Sequence, residues 1–169
     1  MLSRKRAFLG MSMILVALIA VACGSSTSTT TASSSSIVFI KTSPATVKGQ
    51  SVTILTNTQG KTLYYFIPDS ATNAACNGSC AGTWPPLVFT SSGSPASANT
   101  LPGTLSVVTD ANGQQVEYNG HPLYTYSLDT APGQTNGEGV LGKWFVATST
   151  LSVQSAPQVT PTTGNGYGY

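Results

Sequence analysis

Three regimes of hydrophobic and polar residues succeed one another along the chain. Residues 7–22 (AFLGMSMILVALIAVA) form an uncharged, mostly apolar run, and residues 25–36 (SSTSTTTASSSS) are Ser or Thr at every position but Ala32. Beyond them apolar residues come in short runs. Residues 51–56 and 61–67 are β-branched and aromatic stretches parted by Asn57-Thr58-Gln59-Gly60, a hairpin signal. Residues 105–109, 114–118 and 122–127 read as a meander turning at Asp110-Ala111-Asn112-Gly113 and at Asn119-Gly120, and residues 143–148 add a strand. No window sustains a helical period beyond a turn or two near residues 74–82, and ten Pro with seventeen Gly favour short strands and turns. The pattern predicts a small all-β domain over residues 38–155, an antiparallel sandwich or flattened barrel.

The first two regimes read as an address. Arg4, Lys5 and Arg6 precede the apolar run, which ends in small residues before Cys23, the layout of an export signal over residues 1–22. A transmembrane helix is the alternative, but the run falls short of the roughly 20 residues that spanning needs. Ala20-Val21-Ala22-Cys23 resembles a bacterial lipobox, with Ala20 where Leu is more usual. That resemblance implies that Cys23 becomes the mature N-terminus and carries lipid, anchoring an extracytoplasmic protein to the bacterial cell membrane by several acyl chains. Residues 23–37 then serve as a flexible tether with a reach of roughly 20 Å. Residues 156–169, rich in Pro, Gly and Thr, are expected to be a disordered tail.

With Cys23 assigned to lipid, Cys76 and Cys80 remain as a pair in an oxidising compartment. Their C-x3-C spacing is neither a zinc ribbon, nor the C-x-x-C of thioredoxin-like enzymes, nor a c-type haem attachment motif. A structural disulfide is the preferred reading; a redox-active pair and metal ligation are the alternatives. Composition narrows the partners. Only 7% of residues are charged, against a norm of about a quarter, which excludes a nucleic-acid footprint and a charged disordered polymer. The formal charge of +2 becomes −1 once Arg4, Lys5 and Arg6 leave with the signal.

The segment between tether and tail is duplicated. Gly60 to Asp69 (GKTLYYFIPD) aligns with Gly120 to Asp129 (GHPLYTYSLD) at an offset of sixty, and the same offset brings Gly82-Thr83-Trp84 onto Gly142-Lys143-Trp144. Repeats of about residues 51–90 and 105–150 are therefore expected to pack with pseudo-twofold symmetry. In a strand Tyr64 and Phe66 share one face with Leu63 and Tyr65 on the other, as do Tyr124 and Tyr126 against Leu123 and Thr125. The recurring aromatic face reads as core, or else, with Trp84 and Trp144, as a platform for a flat ligand such as a sugar, haem or quinone. Asp69 and Asp129 read as turn-fixing carboxylates, with an acid/base pair or a hard-cation site as the alternative. His121, the only histidine, reads as a turn residue between Gly120 and Pro122. A metal or haem ligand is its other use, and no G-x-S-x-G supports a hydrolytic triad.

Tyr64/Phe66/Asp69 and Tyr124/Tyr126/Asp129 form paired Y-x-[FWY]-x-x-D elements. Together with Cys76, Cys80, Trp84-Pro85-Pro86-Leu87 and the stretch from Tyr118 to Tyr124, they resemble a family of bacterial lipoproteins known as the secreted repeat of unknown function. The resemblance covers roughly residues 57–148. It implies export, lipid anchoring and the repeat organisation, and it brings no catalytic residues. The expected function is a surface-tethered, non-enzymatic β module of the cell envelope that binds an unidentified envelope ligand or protein, with no resident cofactor. The alternative is an envelope redox or haem-handling protein using Cys76, Cys80, His121 and the aromatic face, with haem or a metal ion bound.

Overall fold

The computed structural model describes residues 36–155. The expected signal peptide, Cys23, nearly all of the tether, and the tail lie outside the described residues. Among the described residues eight strands carry the fold: β1 Ser36–Val47, β2 Gln50–Asn57, β3 Tyr64–Phe66, β4 Ser94–Ser97, β5 Leu105–Asp110, β6 Gly113–Tyr118, β7 His121–Pro122 and β8 Trp144–Val146. One α-helical turn, Cys80–Thr83, and one 3-10 turn, Val140–Gly142, complete it. The strands form three sheets, ordered β2-β1-β4, β3-β8 and β5-β6-β7, with no closed barrel among the described residues. All pairs are antiparallel except β1–β4. The domain is thus all-β and sandwich-like.

Local chemistry sets the hairpins. Asn119 (φ 52°) and Gly120 (φ 79°) both occupy the left-handed region, as the two central residues of a type I′ turn must, and they pair Tyr118 with His121. Asn57 holds the turn before β3 by accepting the Gln59 and Lys61 N–H groups at its side-chain oxygen. Two strands depart from the sequence pattern. β1 starts at Ser36, inside the expected tether and before residue 38, and β4 forms from Ser-Pro-Ala-Ser. Lys41 and Pro44 break the apolar run of β1, so propensity alone does not reveal it. Pro44 is tolerated because β1 pairs with β4 only up to Ile40–Ser97, and beyond that point its outer edge needs no N–H donor.

The two repeats build one another. Tyr64 N–H donates to the Tyr124 carbonyl (2.8 Å) and Tyr124 N–H returns to the Tyr64 carbonyl (3.0 Å), a reciprocal pair astride a local twofold. Around it, Ala147 N–H to Leu63 C=O (2.8 Å) mirrors Leu87 N–H to Leu123 C=O (2.9 Å). Ile67 N–H to Lys143 C=O and Ser127 N–H to Thr83 C=O, both 3.0 Å, repeat the relation further out. The central pair joins the two Leu-Tyr strands, and each of the outer bonds joins the Leu-Tyr strand of one repeat to the Trp-bearing segment of the other. Within its own repeat each strand keeps the bond at its leucine, Leu63 N–H to Leu55 C=O and Leu123 N–H to Val116 C=O, so separating the repeats would strip the backbone partners named above from both.

Alternation along those strands divides the core in two. Leu63 and Leu123 join Ile40, Leu55, Phe89, Val116, Tyr118 and Ala147 in one cluster. Tyr64 and Tyr124, one residue on and so on the opposite face, join Ile54, Ala74, Cys76, Trp84, Trp144 and Val146 in the other. The second cluster carries the candidate site.

Candidate functional site

Six of the aromatic and acidic residues picked out by the duplication meet on the local twofold. Trp84 and Trp144 stack with centroids 3.8 Å apart and planes 2° from parallel. Phe66 covers Trp144 at 4.2 Å and 20°, and Tyr126 covers Trp84 at 4.2 Å and 23°. Two rings at that distance cannot share one face of an indole, so the order across the axis is Phe66, Trp144, Trp84, Tyr126. Tyr64 and Tyr124 buttress this stack edge-on, Tyr64 against Trp84 (5.5 Å, 75°) and Tyr124 against Trp144 (5.1 Å, 88°). Both tyrosines are fully buried.

The stack borders an open groove of about 420 Å³, walled by Phe66, Trp84, Tyr126 and Trp144 and completed by Cys80, Thr83, Val140, Leu141 and Lys143. Its walls obey the local twofold, with Thr83 and Cys80 opposite Lys143 and Val140 at the sixty-residue offset. The wall is mostly apolar, and Lys143 is its only charged side chain. Leu141 stands at the rim, 82% exposed and at φ 55°, a conformation uncommon for a leucine. The expected aromatic face is therefore both core and groove wall. Each indole is covered on both faces by its neighbours, with Phe66 and Tyr126 at the two ends of the stack.

The acidic residues sit behind the stack, in turns. Asp129, 2% exposed, accepts the Asn136 N–H (3.0 Å) on Oδ1 and the Tyr64 hydroxyl (2.6 Å) on Oδ2. Gly137 N–H closes the arrangement on the Tyr64 oxygen at 3.2 Å. Burial, then the bond to Asp129, push the Tyr64 hydroxyl far above the ordinary phenol range, so it stays a proton donor. The mirror pair is looser. Asp69 accepts the Ala75 N–H (2.7 Å) on Oδ1, while its Oδ2 and the Tyr124 hydroxyl oxygen are buried without a partner of hydrogen-bond geometry. The two groups are still close enough to act on each other, and burial above all lifts the Asp69 carboxyl to about 6.

Cys76 and Cys80 are disulfide-bonded, with Cys80 at the groove wall and Cys76 in the core beneath. The Asn112 side-chain amide donates to the Cys76 carbonyl (2.9 Å) and to Gln115 Oε1 (2.9 Å), tying the disulfide loop to the β5–β6 hairpin. His121 lies elsewhere. Its ring packs edge-on against Tyr65 (5.0 Å) on the opposite face of the Leu-Tyr strand, with Nε2 3.1 Å from the Ser152 carbonyl. Burial lowers its pKa and favours the neutral imidazole. The structure therefore brings together Tyr64, Phe66, Trp84, Tyr124, Tyr126 and Trp144, keeps Asp69 and Asp129 in separate turns, and leaves His121 apart. Among the described residues no three His, Cys, Asp or Glu side chains group as metal ligands. Sequence reading missed Thr83, Val140, Leu141 and Lys143 as lining. Thr83 and Lys143 lay inside the recurring Gly-x-Trp and could have been found there; Leu141 carried no signal.

Fold and site together define an all-β tandem-repeat domain with an aromatic groove at the repeat junction. The family described as a secreted repeat of unknown function matches residues 45–88 and 106–148, just over half of the chain. The chain belongs to that family, as its paired motifs led us to expect, and is an extracytoplasmic protein. Comparison with curated proteins and with solved structures returned no match. Among the described residues no helix is long and apolar enough to cross a membrane.

Proposed function

We propose that the chain is a non-enzymatic binding module of the bacterial cell envelope, exported and held to its membrane by lipid on Cys23, with the aromatic groove as its binding surface. The groove carries this reading. An open, mostly apolar cleft on a soluble domain exposes surface that is ordinarily covered, and such clefts mark binding sites. Ile67 and Leu128, exposed large apolar residues, follow the two groove strands in sequence. Turnover finds less support, because Asp129 is spent on backbone and phenol partners, Asp69 is held by the Ala75 N–H in a separate turn, and His121 faces away. The same separation of His121 from Cys80 and the aromatic stack gives the redox or haem reading no observation in its favour.

Two measurements test the proposal. Feeding cells an alkyne-tagged palmitate should label the protein, and Cys23→Ala should abolish the label and release the chain from the membrane; an unlabelled, soluble wild type would refute the tether. Anilinonaphthalene sulfonate, an apolar anion, should bind the folded protein saturably at one site, and Leu141→Asp should weaken it. Asp suits the left-handed backbone at that position. The absence of saturable binding under native conditions would refute the groove.

A further inference from the structure

We propose that the groove takes a single-chain carboxylate, its alkyl tail along the ring edges and its carboxylate at Lys143; this rests on the binding reading above. Four observations lead there. First, each indole in the stack is covered on both faces, Trp84 by Trp144 and Tyr126, Trp144 by Trp84 and Phe66. The indoles can meet a groove ligand only through their C–H and N–H edges, which suits a thread of methylenes better than a flat ring seeking a π-face. Second, the wall offers almost no polar partners. Thr83 and Lys143 are its only side chains with a hydrogen-bonding oxygen or ammonium outside the aromatic residues. A sugar or a peptide strand bound here would leave its own hydroxyls or amides unpaired, at a cost that an alkyl chain does not incur.

Third, Lys143 gives the site a sign. It is the single charge on the wall, it is solvent-exposed, and the twofold partner position holds the neutral Thr83. The Lys143 side of the groove is thus marked for an anion. Fourth, Leu141 spends its side chain on solvent, in a backbone conformation uncommon for leucine, at the rim beside Lys143. It packs nothing of the core and is free to close over a chain. Volume then selects among anionic amphiphiles. Taking about 30 Å³ for a water-sized group, methylene included, a groove of about 420 Å³ holds one chain of about a dozen carbons and not two.

Titration calorimetry of the purified chain with octanoate, decanoate and dodecanoate below their micellar concentrations tests the inference. Each added methylene should tighten Kd by about fourfold until the groove is full. Decanol should bind more weakly than decanoate, and decyltrimethylammonium more weakly still. Lys143→Met should weaken decanoate by about threefold, in the range of an exposed ion pair, and so remove most of the preference for decanoate over decanol. Leu141→Asp should weaken both. Affinity that ignores chain length, or that favours the ammonium amphiphile, would overturn the proposal. So would binding only to phosphatidylglycerol vesicles with no competition by dodecanoate, which would make this rim a membrane-contact surface. If anilinonaphthalene sulfonate binds saturably at the groove and dodecanoate fails to displace it, the ligand class falls and the binding reading stands.

Discussion

The two Tyr–Asp clamps are related by the local twofold yet differ in their bonding, and that difference predicts an asymmetry in mutational cost. In Tyr64→Phe the hydroxyl that donates to Asp129 Oδ2 and accepts from Gly137 N–H disappears. A hydrogen bond to a charged group contributes about 1.5–3 kcal/mol, and the orphaned Gly137 N–H adds about 1 kcal/mol. The loss should total about 3 kcal/mol. In Tyr124→Phe the deleted oxygen had no partner of hydrogen-bond geometry, and neither did Asp69 Oδ2 opposite it. Removing it relieves a buried unpaired group, so the cost should stay below about 1 kcal/mol. Urea unfolding at neutral pH, monitored by tryptophan fluorescence, reads both. For an m value of about 1.5 kcal/mol/M the midpoint should fall by about 2 M in Tyr64→Phe and by well under 1 M in Tyr124→Phe. Equal costs, or the reverse order, would refute the reasoning.

Other expectations follow from the same contacts. A Cβ on Gly137 would lie 2.8 Å from both the Trp84 and the Tyr64 rings, so Gly137→Ala should destabilise by about 1–3 kcal/mol and perturb the near-ultraviolet circular dichroism of the stack. Reducing Cys76–Cys80 opens a short ring; it should cost about 2 kcal/mol in unfolding experiments with and without reductant, and amide exchange should rise first in the loop held by Asn112. Asp69 sets a pH dependence. Its folded-state pKa of about 6 lies above the usual 3.8, so its stabilising share is complete below pH 3.8 and is lost as the pH rises through 6. Asp69→Asn, which mimics the protonated form, should gain about 1–2 kcal/mol on the wild type between pH 4 and 7.5, a figure that allows for partial solvation. A difference that stays flat across that range would contradict the assignment.

Much of this arrangement was legible in the sequence because a strand has a period of two. Once Leu63-Tyr64 and Leu123-Tyr124 were recognised as copies, the partition of leucines and tyrosines onto opposite faces followed, and it is the partition between the two core clusters. Asn119-Gly120 fixed its hairpin through backbone conformations that few residue pairs adopt. The disulfide followed from counting thiols. What stayed hidden depends on contacts between distant segments. Which repeat supplies the partner of each Leu-Tyr strand is a matter of long-range pairing, and the stacking of Trp84 on Trp144 follows from that exchange alone. The strand containing Pro44 was hidden for a related reason, since its tolerance depends on where β4 stops. Asp69 and Asp129 looked alike in sequence, and only burial and partner geometry separate the satisfied clamp from the loose one.

Two repeats exchange strands across a twofold so that their tryptophans stack, and two parallel indoles 3.8 Å apart are in direct contact. A double-mutant cycle of Trp84→Leu and Trp144→Leu, read by urea unfolding followed by circular dichroism, should therefore show a coupling of about 0.5–1.5 kcal/mol, and the wild type should unfold in one transition by fluorescence and by circular dichroism. Additive costs of the two substitutions, or two separate transitions in the wild type, would contradict the stacked, strand-exchanged junction.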